Sequence, residues 1–188
     1  MTRLRPLTRT ELSGNQATLW DDITQSRAVA SPESDTLMGP YDAFVRVPDL
    51  GRHMWSWGAH VRSTSIEPRL SELAICIVGA QWRSDFEFWA HAPKAIDLGI
   101  GPAVVDAIRD GRTPAFDRDD EHVVHAVTSQ LLAQHRVHDA TYADGVALLG
   151  ETGMIELCAV IGYYCFISMT LNLFEVALPA GEEPIWPR

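Results

Sequence analysis

Apolar residues recur along the chain at the three- and four-residue spacing of helices, and no segment keeps up the strict alternation of a strand. From Leu50 the apolar positions continue at Met54, Trp57 and Val61, which predicts one continuous apolar face on a helix that begins at Pro48. Similar spacing follows in the later segments. The sequence therefore predicts an all-α fold.

Prolines, glycines and polar stretches mark where the predicted helices begin and end. A polar stretch at 31–35 predicts a loop after the first helix, and Gly99 predicts the end of a later one. The predicted helices span 10–26, 38–45, 48–61, 68–82, 85–98, 102–109, 117–134, 139–149 and 154–176.

The last of these helices is apolar nearly all round. A protein of this size rarely covers every side of such a helix by itself, so we expect a homo-oligomer with this helix near the interface. The tail after Leu178 is not expected to form regular structure. Its Ile185 and Trp186 either pack as an arm on a neighbouring subunit or belong to a loosely ordered end.

Composition places the chain among ordinary globular proteins and argues against two kinds of partner. Hydrophobic residues make up 46% and charged residues 21% of the 188 positions, unlike a disordered chain. A net charge of −10 leaves no basic field for phosphates, so nucleic acid is not an expected partner. The N-terminus has no apolar signal region, and no stretch reaches about 18 uninterrupted apolar residues. We therefore expect no membrane partner and a cytoplasmic location.

The three cysteines, Cys76, Cys158 and Cys165, form neither a C-x-x-C pair nor a zinc-type pattern. On one helix, Cys158 and Cys165 would lie about 10 Å apart, which is too far for a disulfide. We therefore expect three reduced thiols that pack as small apolar groups.

The segment from Glu72 to His91 places two carboxylates and an imidazole close together. Glu87 and His91 are four residues apart, so their side chains meet on one face of a helix. A carboxylate beside an imidazole raises the proton affinity of the imidazole, which makes His91 a candidate general acid or base. Glu72 lies among apolar residues in mid-helix, where a carboxylate needs either a partner or a catalytic task.

Two structural explanations for these residues remain open. Ser84 and Glu87 also fit the S-x-x-E capping box, in which Ser84 caps the helix start and Glu87 reaches back to the Ser84 N–H. A Glu–His pair four residues apart is also common on solvated helix faces. Either explanation would account for the pattern without catalysis.

The same residues resemble the core motif of the carboxymuconolactone decarboxylase and alkylhydroperoxidase D family, whose redox members read E-x11-C-x-x-C-x3-H. Counted from Glu72, the two cysteine positions fall on Ser84 and Glu87, and the histidine falls on His91. The resemblance extends over residues 38–178, which leaves a helix-and-loop arm at 1–37 and a tail at 179–188. It implies an alkylhydroperoxidase D-like helical bundle that assembles as a trimer or hexamer.

The resemblance also implies a chemistry, with Glu72 and His91 as a proton-relay pair and Glu87 in the place of the second cysteine. A serine and a carboxylate cannot cycle through a sulfenic acid and a disulfide, so thiol peroxidase activity is not expected. The implied function is a cofactor-independent lyase, isomerase or hydrolase that uses acid–base catalysis on a small organic acid or lactone. The alternative is a catalytically inactive family member that binds a ligand or serves as an oligomeric structural protein.

Several further residues are candidates for contact with a substrate. Ser84 stands at the start of the motif helix, where it can hold the helix start and also reach a ligand. Trp57, Trp89 and Tyr163 are candidate walls for a ring-shaped or unsaturated substrate, although aromatic residues at helical spacing more often belong to the core.

A metal site is not expected. Glu121, His122 and His125 lie close together in the sequence, but they lack the H-E-x-x-H order and a third ligand. We interpret them as a solvated helix face. No metal and no other cofactor is therefore part of the predicted function.

Overall fold

The structure is a computed structural model that describes residues 2–26 and 35–187, and these residues form eight α-helices. A 3₁₀ turn at Arg9–Glu11 precedes α1 (Gly14–Ser26), α2 (Tyr41–Arg46), α3 (Pro48–Val61), α4 (Pro68–Gln81), α5 (Asp85–Asp97), α6 (Pro102–Arg109), α7 (Asp119–Gln134) and α8 (Asp139–Leu173). The described residues contain no strand, only an isolated bridge between Thr8 and Thr36. The all-α prediction is confirmed.

Most helix boundaries lie within three residues of the predicted ones, because nearby residues determine them. Pro68 and Pro102 stand in the first turns of α4 and α6, where a missing N–H costs nothing. Gly99 follows α5 with a φ of +102°, a conformation that glycine adopts without strain.

The first predicted helix, 10–26, is wrong at its start. Leu12 takes an extended backbone after the 3₁₀ turn, and α1 begins only at Gly14. Leu12 packs in a small apolar cluster with Leu19 and Ile23 of α1. The extended backbone between the 3₁₀ turn and α1 thus buries the Leu12 side chain. The predicted loop at 31–35 lies outside the described residues except for Asp35.

Helix α4 lies at the centre of the fold and packs against α5, α7 and α8. Residues 73–79 of this helix are all buried, because apolar or small residues cover every side of that stretch and neighbouring helices pack around it. Glu72 comes immediately before this stretch. Its carboxylate therefore stands at the edge of the core, next to α5.

Helix α3 buries only part of the predicted apolar face. Leu50 and Trp57 are 55% and 40% exposed, whereas Gly51 and Gly58 are buried. A Cβ on Gly51 would collide with the backbone of Phe44, so the absence of a side chain allows this close approach. The predicted apolar face is correct for Val61, which is buried, and for Met54, which packs against the core, and it is wrong for Leu50 and Trp57, because Gly51 and Gly58 face the neighbouring elements in their place.

Helix α8 contains the break that the sequence predicts. Gly150 has φ 69° and ψ 172°, so α8 consists of two helical segments, in agreement with predicted helices at 139–149 and 154–176. By length and composition alone α8 is apolar enough to cross a membrane, and half of its most apolar window is buried inside the protein.

One flank of the second segment of α8 remains exposed. Ile155 and Leu173 are 71% and 59% exposed, and Cys158, Gly162 and Met169 lie between them at helical spacing on the surface. We name these five residues the α8 stripe. The opposite side of the helix is buried in the core. The chain therefore covers only part of the apolar surface of this helix.

The C-terminal tail packs on its own chain. The backbone N–H groups of Ile185 and Trp186 donate to Asp85 Oδ1 at 2.8 and 3.1 Å, and the Trp186 indole donates to the Arg109 carbonyl oxygen at 3.1 Å. The Trp186 ring also packs edge-on against Phe88. These contacts correct the expectation of an arm on a neighbouring subunit or a loosely ordered end.

An ion cluster joins α4 to α7. The buried Arg69 guanidinium donates to Glu121 at 2.8 Å and also pairs with Asp120 and Glu67. Burial raises the pKa of Glu121 against the opposing effect of Arg69, while Arg118 and Arg69 lower the pKa of Asp120 to about 2. The predicted solvated face is therefore wrong for Glu121, whose carboxylate is enclosed between the two helices.

Candidate active site

Three titratable side chains meet where α4 and α5 pack together. His91 Nδ1 donates to Glu72 Oε2 at 2.6 Å, and His91 Nε2 lies 3.1 Å from Glu87 Oε1. Glu72 comes from α4, while Glu87 and His91 lie on adjacent turns of α5. The structure thus brings together the three residues that the sequence analysis singles out as catalytic candidates.

The environment of His91 favours its charged form. Glu87 and His91 are only 3% and 8% exposed, so solvent screens their interaction weakly. Burial by itself lowers the pKa of His91, but the charges and hydrogen bonds of Glu87 and Glu72 outweigh burial and raise this pKa above its ordinary value. The result is a buried imidazolium with a carboxylate beside each ring nitrogen.

The carboxylate of Glu87 keeps one oxygen available. Glu87 Oε1 lies 3.1 Å from His91 Nε2 and has no further hydrogen-bond partner among the residues that the structure describes. A buried acceptor of this kind is stabilised by a partner that donates a hydrogen bond to it. Glu87 Oε1 is therefore positioned to interact with a ligand.

The capping box does not form. Ser84 is the N-cap residue of α5, but its hydroxyl makes no cap hydrogen bond, and its N–H already donates to the Gly79 carbonyl oxygen at 2.9 Å. Glu87 therefore turns towards His91. Ser84 itself is fully buried and lines a cavity other than the one beside His91, so the structure does not group it with the other candidate substrate-binding residues.

A cavity of about 450 Å³ lies beside Glu87 and His91. Five aromatic rings form much of its wall, namely those of Tyr41, Phe86, Trp89, Tyr163 and Tyr164. The Tyr164 ring meets the imidazole of His91 edge-on, with 5.1 Å between the ring centroids. A concave space with apolar walls and a few convergent polar groups is the usual form of a small-molecule site.

The predicted aromatic walls are placed correctly in two cases out of three. Trp89 and Tyr163 line the cavity. Trp57 does not, because α3 turns its glycine face inward and leaves Trp57 on the outer side, where its ring contacts Tyr163 edge-on at a centroid distance of 5.2 Å. Trp57 thus packs behind the wall and does not form part of it.

Sequence reasoning missed Tyr41, Arg62 and Lys94, which also line the cavity. Lys94 lies three residues after His91 on the same helix, so helical spacing was an available signal for it. Tyr41 and Arg62 come from α2 and from the end of α3. No spacing rule relates those segments to His91, and only the tertiary fold brings them to the site.

None of the three thiols lines this cavity. Cys76 is buried on α4, where burial raises the pKa of its thiol well above the usual range. Burial also raises the pKa of the half-buried Cys165. Cys158 is exposed on the α8 stripe, so the expectation that all three thiols pack as small apolar groups is wrong for that residue.

The described residues contain no group of three His, Cys, Asp or Glu side chains arranged to hold a metal ion. Glu121 is engaged with Arg69, and the His125 ring packs against Phe116 with 5.2 Å between the ring centroids. Burial lowers the pKa of His125, which favours a neutral ring in this packing role.

The helices form an AhpD-like all-α fold, and solved structures with a similar fold include the following two. One is an uncharacterized peroxidase-related protein with an alkylhydroperoxidase AhpD core from Ralstonia eutropha JMP134, with a TM-score of 0.71 and 10% identity over 95% of this chain and 93% of that chain. The other is a variant of the debrominase Bmp8 in complex with 2,3,4-tribromopyrrole, with a TM-score of 0.69 and 14% identity over 96% and 93%. No family model and no curated protein matches the sequence.

Proposed function

We propose that this chain is an acid–base enzyme of the carboxymuconolactone decarboxylase type that acts on a small organic acid or lactone. The proposal is carried by the burial of His91 between Glu72 and Glu87 beside a cavity with aromatic walls. Two carboxylates and an imidazole in contact share protons as a unit, so the group can accept a proton and return it near neutral pH.

The three side chains have different parts in this proposal. Glu72 holds the Nδ1 side of His91 and fixes the orientation of the ring, while Glu87 and His91 line the cavity. A substrate C–H proton passes to Glu87 Oε1 as the C–H electron pair moves into an adjacent carbonyl to form an enolate. The protonated group then returns the proton at another carbon, which completes an isomerisation. In a decarboxylation, the electron pair left by departing CO2 forms the enolate and takes its proton from the same group.

Thiol peroxidase activity is not part of the proposal. Such a peroxidase needs a thiolate nucleophile and a resolving thiol. Ser84 and Glu87 stand at the two cysteine positions of the redox motif, and the buried Cys76 lines no part of the cavity.

A likeness in fold supports a small ring-shaped ligand. The debrominase that shares the fold has been solved with a brominated pyrrole bound. The aromatic side chains around the cavity of this chain, such as Trp89 and Tyr163, offer flat apolar surfaces against which a ring can pack. Dehalogenation itself is not carried over to this chain.

We also propose that the chain acts as a homo-oligomer, a trimer or hexamer, whose interface includes the α8 stripe. The stripe exposes apolar side chains along several turns of one helix, and Trp57 of α3 lies against Gly162 at its centre. A continuous apolar surface of this kind is typical of protein–protein interfaces. A second copy of the chain would cover it.

The pH titration of His91, followed by NMR in the wild type and in Glu72→Gln, tests the relay. We expect His91 to titrate above its ordinary pKa of about 6.5 in the wild type and closer to that value in the variant. The resonances of His60, which is exposed on α3 and lies outside the site, serve as an internal control that should coincide in the two proteins if the fold is unchanged. A panel of lactones and unsaturated acids, assayed in parallel, should reveal turnover that His91→Gln abolishes.

The alternative function is ligand binding without turnover. It is favoured if no compound of the panel is converted and if the titration of His91 is unaffected by Glu72→Gln. That outcome would contradict the relay, and the cavity beside His91 would then be the ligand site of a binding protein that has kept the fold.

A further inference from the structure

Two basic side chains line the cavity beside His91, and neither has a carboxylate partner among the described residues. Of the basic side chains that the structure describes, nine arginines form ion pairs with Asp or Glu, whereas Arg62, Lys94, Arg83 and Arg136 form none. The chain has 25 acidic and only 15 basic residues, so a basic side chain readily finds an acidic neighbour. Of these four, Arg62 and Lys94 line the cavity beside His91 together, which favours a site there for a negative charge that comes from outside the chain.

The fold holds Arg62 in place through Tyr163. The Tyr163 phenol accepts a hydrogen bond from the Arg62 guanidinium, and both groups come together over Gly58, which has no side chain to keep them apart. Burial raises the pKa of Tyr163 well above its usual range, so the phenol stays neutral. Tyr163 thus orients the guanidinium without neutralising its charge.

The charges around the cavity favour a monoanion. With both carboxylates ionised, Glu72, Glu87 and the His91 imidazolium together carry one negative charge, and Arg62 and Lys94 add two positive charges. The site as a whole then carries one positive charge. A ligand with a single negative charge balances it, and a planar guanidinium binds a carboxylate through two parallel hydrogen bonds.

We propose that Arg62 and Lys94 form an anion-binding subsite that receives the carboxylate of a small, planar, monoanionic ligand. The ring of the ligand packs against the aromatic wall and reaches Glu87 and His91 in the same cavity. This inference deepens the proposed function by naming its substrate class. It rests on that function for catalysis, but binding through the subsite requires no turnover.

Isothermal titration calorimetry with benzoate and benzamide tests the subsite, since the two probes share ring and shape and differ in charge. We expect benzoate to bind the wild type more tightly than benzamide. In Arg62→Gln, affinity for benzoate should fall about tenfold or more, because a hydrogen-bonded charge is lost, while affinity for benzamide should hold. Arg136→Gln is the matched control, because Arg136 is exposed between α7 and α8 and also lacks an ion pair.

A second variant distinguishes the loss of the binding group from a folding defect. Arg62→Lys keeps the positive charge but loses the planar guanidinium and its two parallel hydrogen bonds. It should therefore bind benzoate more weakly than the wild type and more tightly than Arg62→Gln. Equal benzoate affinity in Arg62→Gln and Arg136→Gln, or no saturable benzoate binding to the wild type, would overturn the proposal. A His91 pKa above its ordinary value in the same samples would still support the proton relay, and lost turnover with intact benzoate binding would contradict the relay alone.

Discussion

The phenol oxygen of Tyr163 occupies the space that a side chain on Gly58 would need. A Cβ placed on Gly58 would lie well under 3.0 Å from that oxygen, closer than real Cβ atoms approach. The guanidinium of Arg62, one turn further along α3, borders the same space. A glycine on one helix thus lets a ring of α8 and a cation of α3 meet beside the cavity.

Gly58→Ala should therefore destabilise the protein although alanine favours helices. Overpacking typically costs about 1–3 kcal/mol, which outweighs a helix-propensity gain of up to about 1 kcal/mol. Urea denaturation measures the difference. Gly79→Ala is the control, since a Cβ at Gly79 meets its nearest neighbour, Phe88, at an ordinary 3.4 Å. Equal stability of the Gly58 variant and the wild type would contradict the close contact.

The raised pKa of His91 predicts that stability depends on pH. A group whose pKa is higher in the folded than in the unfolded state contributes its stabilisation fully below the unfolded pKa, about 6.5 for histidine, and loses it as the pH rises through the folded pKa. The wild type should thus lose stability as the pH rises above about 6.5 and until it passes the folded pKa, by about 1.4 kcal/mol for each pH unit between the two pKa values.

Glu72→Gln provides the comparison for this pH dependence, because it removes one of the two charges that raise the pKa of His91 while keeping the shape of the side chain. Chemical denaturation of both proteins across the same pH range should show a shallower decline in the variant. Parallel declines would mean that Glu72 does not stabilise the His91 imidazolium.

Relationships within one helix could be predicted from the sequence. Glu87 and His91 are neighbours by helical spacing, and proline and glycine mark most helix ends. The approach of Glu72 to His91 crosses between two helices, and only the resemblance to a known motif indicated it. Helical spacing could also have indicated Lys94.

Relationships between distant segments could not be predicted. The buried face of α3 depends on which elements pack against it. Apolar spacing therefore predicted that Trp57 is buried, whereas in the structure Gly58 is buried and Trp57 is partly exposed. Arg62 reaches the cavity for the same reason. Likewise, Glu121 looked solvated because its partner Arg69 lies on another helix, and pairing of this kind leaves no local pattern in the sequence.

The ion cluster between α4 and α7 predicts a large effect of Arg69→Met. The side chains of Arg69 and Glu121 are 7% and 5% exposed, so the variant leaves a buried carboxylate without its partner, which typically costs about 3–5 kcal/mol. Urea denaturation again provides the measurement. Arg118→Met is the control: Arg118 also pairs with Asp120 but is 57% exposed, so its loss should cost under about 1 kcal/mol. Similar costs for both variants would show that Arg69 is not buried in solution.

The α8 stripe predicts that one charge on it disrupts the assembly. Sedimentation of the wild type should indicate a trimer or hexamer, whereas Ile155→Glu should sediment at lower mass, because a carboxylate buried in an apolar interface pays a large desolvation cost. Ile96→Glu places the same charge on α5 outside the stripe, at a residue that is 38% exposed, and should leave the mass unchanged. A monomeric wild type at micromolar concentration, or an assembly that survives Ile155→Glu, would mean that the stripe does not hold the subunits together.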